Sequence, residues 1–202
     1  MKKYILFIFF IFYSSQFVYS ADIKGYVGGN LGQSDFDTNI TTGTATLDEE
    51  DLGWKIYGGV NINEYLAVEV QYADFGAATL NGVNGSTFTL DGVAQVFVTT
   101  AQLDAEVDSI GFSVVAGYDI NEYLRPFAKL GGHSWDLEIN ATSANVNGTI
   151  AADDGFDLFF GGGFKIKVTD NVSGVVEIEH YKLGGQVNSS LNLFSAGILF
   201  TF

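Results

Sequence analysis

Apolar and polar residues alternate in blocks along most of this chain. Successive side chains of a strand point to opposite faces, so each block reads as one β-strand with two unlike sides. Leu66, Val68, Val70 and Tyr72 share one face, and Ala67, Glu69, Gln71 and Ala73 the other. Ile110, Phe112, Val114, Ala116 and Tyr118 stand against Gly111, Ser113, Val115 and Gly117 in the same way. Leu158, Phe160, Phe164 and Ile166 stand against Asp157, Gly161, Gly163, Lys165 and Lys167. The pattern predicts eight strands over 23–33, 53–62, 66–75, 109–119, 124–135, 156–167, 172–183 and 191–202.

The connections are of two kinds. Ile62-Asn63-Glu64-Tyr65-Leu66 recurs letter for letter as Ile120-Asn121-Glu122-Tyr123-Leu124, and Val168-Thr169-Asp170-Asn171-Val172 sits in the same context. Each is a short polar turn between alternating strands, so each marks one hairpin rather than a propeller blade. The other connections, 34–52, 76–108, 136–155 and 184–190, are longer. Strands of about ten residues, tight turns on one side and long loops on the other are the proportions of a transmembrane barrel. The fold expected is all-β, an eight-stranded antiparallel up-and-down transmembrane β-barrel.

Alternation alone does not say which face points outward, since a soluble barrel puts its apolar row inside. The less apolar face here is rich in Gly and Ala and poor in charge, which suits a narrow lumen better than a wetted surface. Aromatic residues on the apolar face gather near strand ends. Trp54, Tyr72 and Phe194 lie towards the loops, and Tyr118, Phe200 and Phe202 towards the turns, as two interfacial girdles.

Both ends of the sequence agree. Lys2 and Lys3 precede a mostly apolar stretch, and Val18 and Ser20 fit a cleavage site before Ala21, so residues 1–20 are expected to be a cleaved secretory signal peptide and 21–202 the barrel domain. The apolar run is too short to span a bilayer as a helix. Cysteine is absent, which excludes a lipoprotein anchor and a disulfide framework. The last strand sets Phe194, Ala196, Ile198, Phe200 and Phe202 on one face and Ser195, Gly197 and Thr201 on the other. A terminal aromatic strand of this kind is the closing-strand signature of outer-membrane barrels. Ser195, Gly197, Phe200 and Phe202 are therefore the candidate insertion signal.

The sequence resembles the transmembrane domain of the OmpA family. The resemblance is carried by Gly25-Tyr26-Val27-Gly28-Gly29-Asn30-Leu31-Gly32 with Ser34-Asp35-Phe36-Asp37, by Leu130-Gly131-Gly132-His133-Ser134-Trp135, by Phe160-Gly161-Gly162-Gly163-Phe164 and by the last strand. It implies an outer-membrane protein of a Gram-negative bacterium with termini periplasmic and long loops extracellular. The implied partners are outer-membrane lipid and lipopolysaccharide, the barrel-assembly machinery and a host or environmental surface ligand, and the expected state is a monomer. Typical relatives continue into a peptidoglycan-binding domain. The sequence stops at Phe202, and the expectation is a barrel without that function.

Charge sharpens this picture. The formal net charge of −15 argues against nucleic acid as a partner. Lys55, Glu69, Arg125, Lys129, Lys165, Lys167, Glu177 and Glu179 fall on inward positions and are predicted to form a lumenal charge network, because a narrow lumen accepts ions only when they are paired. Asp157 and His133 also point inward. The alternative use of such a network is a narrow gated ion pathway. Acidic residues crowd the long loops, among them Asp35, Asp37, Asp48, Glu49, Glu50, Asp51, Asp91, Asp104, Glu106, Asp108, Asp136, Glu138, Asp153 and Asp154. They keep the loops solvated and offer oxygen ligands for divalent cations between the loops and lipopolysaccharide phosphates. Asp35-x-Asp37-x-Asn39 begins like a calcium loop, but Ile40 replaces the turn glycine and Thr46 the bidentate Glu, so no metal site is assigned.

No cofactor is expected. The glycine-rich first strand lacks the spacing of a nucleotide loop. A lipid A-modifying hydrolase, the third alternative, needs a base beside its nucleophile, yet His133 and Ser134 point to opposite faces and His180 has Lys182, not a serine, beside it on its own face. The reading is a non-enzymatic surface barrel with loops available for adhesion or recognition. A narrow pore is the alternative.

Overall fold

A computed structural model describes residues 24–90, 92–185 and 189–202, so the expected leader lies outside the described residues. In chain order the strands are β1 (Gly25–Asp37), β2 (Ile40–Thr42), β3 (Thr46–Asp48), β4 (Glu50–Asn61), β5 (Leu66–Gly82), β6 (Thr87–Leu90), β7 (Val93–Val96), β8 (Ala101–Gly117), β9 (Leu124–Ser143), β10 (Asn147–Lys167), β11 (Val172–Leu183) and β12 (Ser189–Thr201). Eight of them, β1, β4, β5, β8, β9, β10, β11 and β12, pair antiparallel with their chain neighbours, and β12 returns to β1 to close the barrel. The closing register runs from Tyr26 opposite Thr201 to Asp37 opposite Ser190. Closure leaves the wall no edge, which is the condition for strands to stand in lipid.

The two kinds of connection have separate causes. In the repeated turns, Asn63 Oδ1 accepts from the amides of Tyr65 (2.8 Å) and Leu66 (2.9 Å). Asn121 Oδ1 does the same for Tyr123 and Leu124, both at 2.9 Å. In the third turn Thr169 Oγ1 takes the place of the Asn oxygen, accepting from Val172 N at 3.1 Å. The letter-for-letter repeat is thus a repeated side-chain-capped turn.

At the other end, much of what the pattern left as loop is strand. β5 and β8 stay paired out to Gly82 opposite Ala101, and β9 and β10 out to Thr142 opposite Asn147. A bulge between Asp74 and Ala77 bends the first of these extensions, and Gly76 supplies the left-handed residue it needs, at φ +71°. Asp35 and Asp37, the start of the calcium-like motif, are on β1 rather than in a loop. β2, β6 and β7 form a separate small sheet. It is fixed to the barrel by Phe97, Leu80 and Ala45, which are buried together.

The exterior belt is apolar. Phe112, Leu130, Phe156 and Phe160 are each more than half exposed, at 60%, 61%, 61% and 52%. The interior holds the buried charges, Lys55, Glu69, Lys129, Glu177 and Glu179. This is the reverse of a soluble barrel, so hydrocarbon is the solvent of the belt.

Candidate functional site: the bore and its rim

The bore is filled in three layers. Near the turns, Tyr26, Tyr57, Phe127, Val175 and Leu199 pack into one apolar cluster. Near the loops, Phe75, Trp135, Phe159, Tyr181, Leu191 and Leu193 are in a second cluster, each of the six wholly buried at 0% exposure. Large side chains therefore share the lumen with the Gly and Ala expected there. Gly111 and Gly131, opposite one another's neighbours on β8 and β9, leave the room that the Phe159 ring takes up.

Between the two clusters lies a layer of ions. Lys55 of β4 reaches across the bore to Glu177 and Glu179 of β11. Lys129 of β9 lies 2.7 Å from Glu69 Oε1 of β5, and 3.2 Å from both Glu177 Oε2 and Glu179 Oε1. None of these lysine–glutamate pairs joins neighbouring strands, so the layer ties together strands two or three places apart around the wall. Neutral donors complete the coordination: Tyr26 Oη gives to Glu69 Oε2 (3.0 Å) and Asn30 Nδ2 to Glu177 Oε1 (2.8 Å). Asn30 Nδ2 also gives to Ser195 Oγ at 3.2 Å.

Three of the expected network members stand apart. Lys165 is inside, with its ammonium 4.5 Å above the Tyr26 ring and 5.5 Å from that of Phe127, a cation–π seat rather than an ion pair. Arg125 and Lys167 lie at the turn ends of β9 and β10, below the ion layer. The alternation puts their side chains on the inward face, Arg125 directly opposite Lys165 and Lys167 one residue pair farther towards the turns. Each takes the nearest turn carboxylate instead, Arg125 that of Asp119 (3.2 Å) and Lys167 that of Asp170 (2.7 Å). The hydrogen bond from Lys167, and then its charge, hold Asp170 below the ordinary carboxylate value.

Above the ion layer, Gln71 Nε2 gives to Tyr181 Oη at 2.7 Å, and His133 Nε2 lies 2.9 Å from the carbonyl of Lys182. Gln71 Oε1, Ser109 Oγ, Ser113 Oγ and His133 Nδ1 are buried without a hydrogen-bond partner among the described residues. Asp157, also inward, accepts from Trp135 Nε1 (2.8 Å) and the Gly184 amide (2.7 Å). His180, half-buried on the outer wall, shares a 2.9 Å contact with Asn192 and packs on Phe160.

The rim of the barrel carries an arrangement that alternation did not reveal. Asp74 is directly opposite Asp108, Asp108 opposite Asp136, and Asp136 opposite Asp154, a row across four neighbouring strands. Glu106 opposite Glu138 forms a second step farther out. The row sits just beyond Tyr72, Ile110, Ser134 and Phe156, where the outer face passes from apolar to acidic. Among the described residues, no group of three or more side chains is placed to hold a metal ion.

In the last strand, Ser195 is buried at the ion layer, while Phe200 and Phe202 are exposed on the outer face. A Cβ at Gly197 would overlap the Gly29 carbonyl and Asn30, so close packing against β1 requires glycine there.

An apolar belt around an ion-paired bore, closed edge to edge, defines an integral outer-membrane β-barrel protein. The chain belongs to the family of the OmpA-like transmembrane domain, whose model matches residues 20–190. It is 27% identical over 192 residues to outer membrane protein A of Shigella flexneri, covering 90% of this chain and 49% of that protein. It is 28% identical over 160 residues to outer membrane protein A of Escherichia coli O157:H7, covering 78% of this chain and 40% of that protein. The chain thus spans about half the length of the curated relatives it matches. Similar folds include Neisserial surface protein A (TM-score 0.56, 17% identity, 88% of this chain and 97% of that one). They also include the Yersinia pestis attachment invasion locus protein Ail, solved with the heparin analogue sucrose octasulfate (TM-score 0.56, 14% identity, 90% of this chain and 100% of that one).

Proposed function

We propose that this protein is a closed, non-enzymatic surface barrel whose loop end faces the cell exterior and serves adhesion or recognition, with its termini in the periplasm. The observation that carries the reading is the filled bore. An ion layer lies between two apolar clusters, so the surface left to meet a partner is the loop end. The acidic residues there set the sign of the ligand. Ail was solved with a polyanion; the loop end here, whose cation among the described residues is Lys182, would repel one. In planar bilayers the purified protein should give no steady channels, and large, long-lived conductances would overturn the closed bore.

The second reading, a narrow ion pore, is favoured by the polar atoms of Gln71, Ser109, Ser113 and His133 that have no partner among the described residues, since buried polar groups left without a partner recruit water. Its signature would be small conductance that rises when Lys129 is replaced by Gln.

β12 with Ser195, Gly197, Phe200 and Phe202 is proposed as the strand read by the assembly machinery. Deleting Phe202 should leave export intact and lower the amount of protein in the outer membrane, while Thr201→Ala should not. Normal levels after the deletion would remove Phe202 from that role.

A further inference from the structure

The small sheet ends in an open edge. β2, β6 and β7 are ordered in that sequence, so among the described residues no strand pairs with the outer side of β7. Sheets that must stay unpaired are usually blunted by lysine, proline or a bulge. From Gly92 to Leu103 this chain has no charged residue and no proline. All four residues of β7 are exposed, and Val93, Val96 and Val98 are 59%, 56% and 87% exposed.

The direction of the free backbone groups follows from the pairing. Phe97 gives its amide to the Ser86 carbonyl at 2.8 Å and accepts from the Gly85 amide at 2.7 Å, so Phe97 faces the β6 side. Backbone groups alternate sides along a strand. Val93 and Gln95 therefore also face β6, and Ala94 and Val96 turn their N–H and C=O groups outward. The edge is held rigidly: the amides of Gly43, Thr44 and Ala45 all bond the Thr87 carbonyl, and the Phe88 and Phe97 rings pack 5.3 Å apart.

We infer that β7 is a docking edge for an extended, lysine- or arginine-bearing polypeptide segment, which adds as a further strand through Ala94 and Val96. This deepens, and rests on, the reading of the loop end as a recognition surface. Charge selects the partner. No Lys or Arg occurs between Lys55 and Arg125 or between Lys129 and Lys165, while Asp48, Glu49, Asp104 and Glu106 lie in the same loop-end region. A basic segment is attracted to that region, and a second copy of this acidic chain is repelled. Main-chain bonds supply affinity in strand addition, and alternate side chains supply selectivity.

The test uses the protein in nanodiscs of uncharged phosphatidylcholine, with a short acetylated peptide of alternating Lys and Val as the probe, followed by fluorescence anisotropy. Saturable binding is expected, and none for the matching Glu and Val peptide. Val96→Pro removes an outward N–H that β6 does not use and should weaken binding about tenfold or more, while Val96→Thr should change it little. Methylating alternate amide nitrogens of the peptide removes donors without touching the protein, and should weaken binding comparably. Equal affinities for wild type and Val96→Pro, or for plain and methylated peptides, would overturn strand addition, as would a dimer formed through β7. Whole-cell adhesion separates the two readings. Loss on replacing 84–100 with a short linker, but not with Val96→Pro, would sink this inference and leave the recognition surface standing. Adhesion that survives replacement of every loop would sink the recognition surface itself.

Discussion

In the bore, Glu69, Glu177 and Glu179 lie against the ammonium groups of Lys55 and Lys129. At the rim, Asp74, Asp108, Asp136 and Asp154 face one another across four strands, with no lysine or arginine in the row. The same kind of side chain obeys opposite rules in the two places, and solvent is the reason. A buried carboxylate without a partner costs several kcal/mol, on the order of what holds a domain together, so it survives only when paired. A rim carboxylate is only partly withdrawn from water, with Asp74 and Asp108 half-buried and Asp136 and Asp154 exposed, and tolerates a like-charged neighbour for a fraction of that cost. The net charge of −15 is therefore concentrated at the end of the barrel that can bear it.

The contrast is most severely tested in the bore. Lys129→Met leaves three carboxylates with one close ammonium and should cost about 3–5 kcal/mol in reversible urea unfolding from lipid vesicles. A loss under about 1 kcal/mol would mean the ion layer is hydrated rather than dry. Next comes the outer belt. Val114→Lys places a charge in hydrocarbon and should cost about 2–4 kcal/mol by the same measurement. At the rim the sign should reverse: Asp136→Asn relieves repulsion from two sides and should stabilise by about 0.2–1 kcal/mol, less as salt is raised. Destabilisation there would show that the row is held together by something other than tolerance. The smallest effect belongs to the exposed turn. Asp170 titrates below its usual value when folded, so its contribution is present above the unfolded pKa and fades as pH falls through the folded one. Asp170→Asn should leave the unfolding midpoint at neutral pH within error.

The membrane-crossing parts of the strands were legible because lipid outside and a crowded bore inside enforce strict alternation, as in Leu66–Tyr72. The ion layer was legible to the same extent: Lys55, Glu69, Lys129, Glu177 and Glu179 were placed inward by parity alone. Parity carries no information about height, which is why Arg125 and Lys167 were grouped with ions they do not meet. The strand extensions were missed because the pattern changes sense. In Asp136-Leu137-Glu138-Ile139-Asn140-Ala141 the alternation continues, but Leu137 and Ala141 are buried inside while Asp136 and Glu138 are exposed outside, as in a soluble barrel. Read with one rule throughout, such a stretch passes for loop. The β6–β7 hairpin did leave a signal, Leu90-Asp91-Gly92-Val93, an Asp-Gly pair between apolar residues.

That reversal has a mechanical meaning. The aspartate row lies immediately beyond Tyr72 of β5, Ile110 of β8 and Phe156 of β10, with Ser134 beside it on β9, so it marks a waterline on the wall. Sinking the barrel by one residue pair, about 7 Å of strand, would carry four carboxylates to the edge of the hydrocarbon at up to about 1 kcal/mol each. Lifting it by the same distance would draw Phe112, Leu130 and Phe156 towards water. The two penalties rise in opposite directions from a shared minimum. On that side of the membrane the row acts as a float line: it sets how deep the barrel rides and how far the small sheet stands clear of the bilayer.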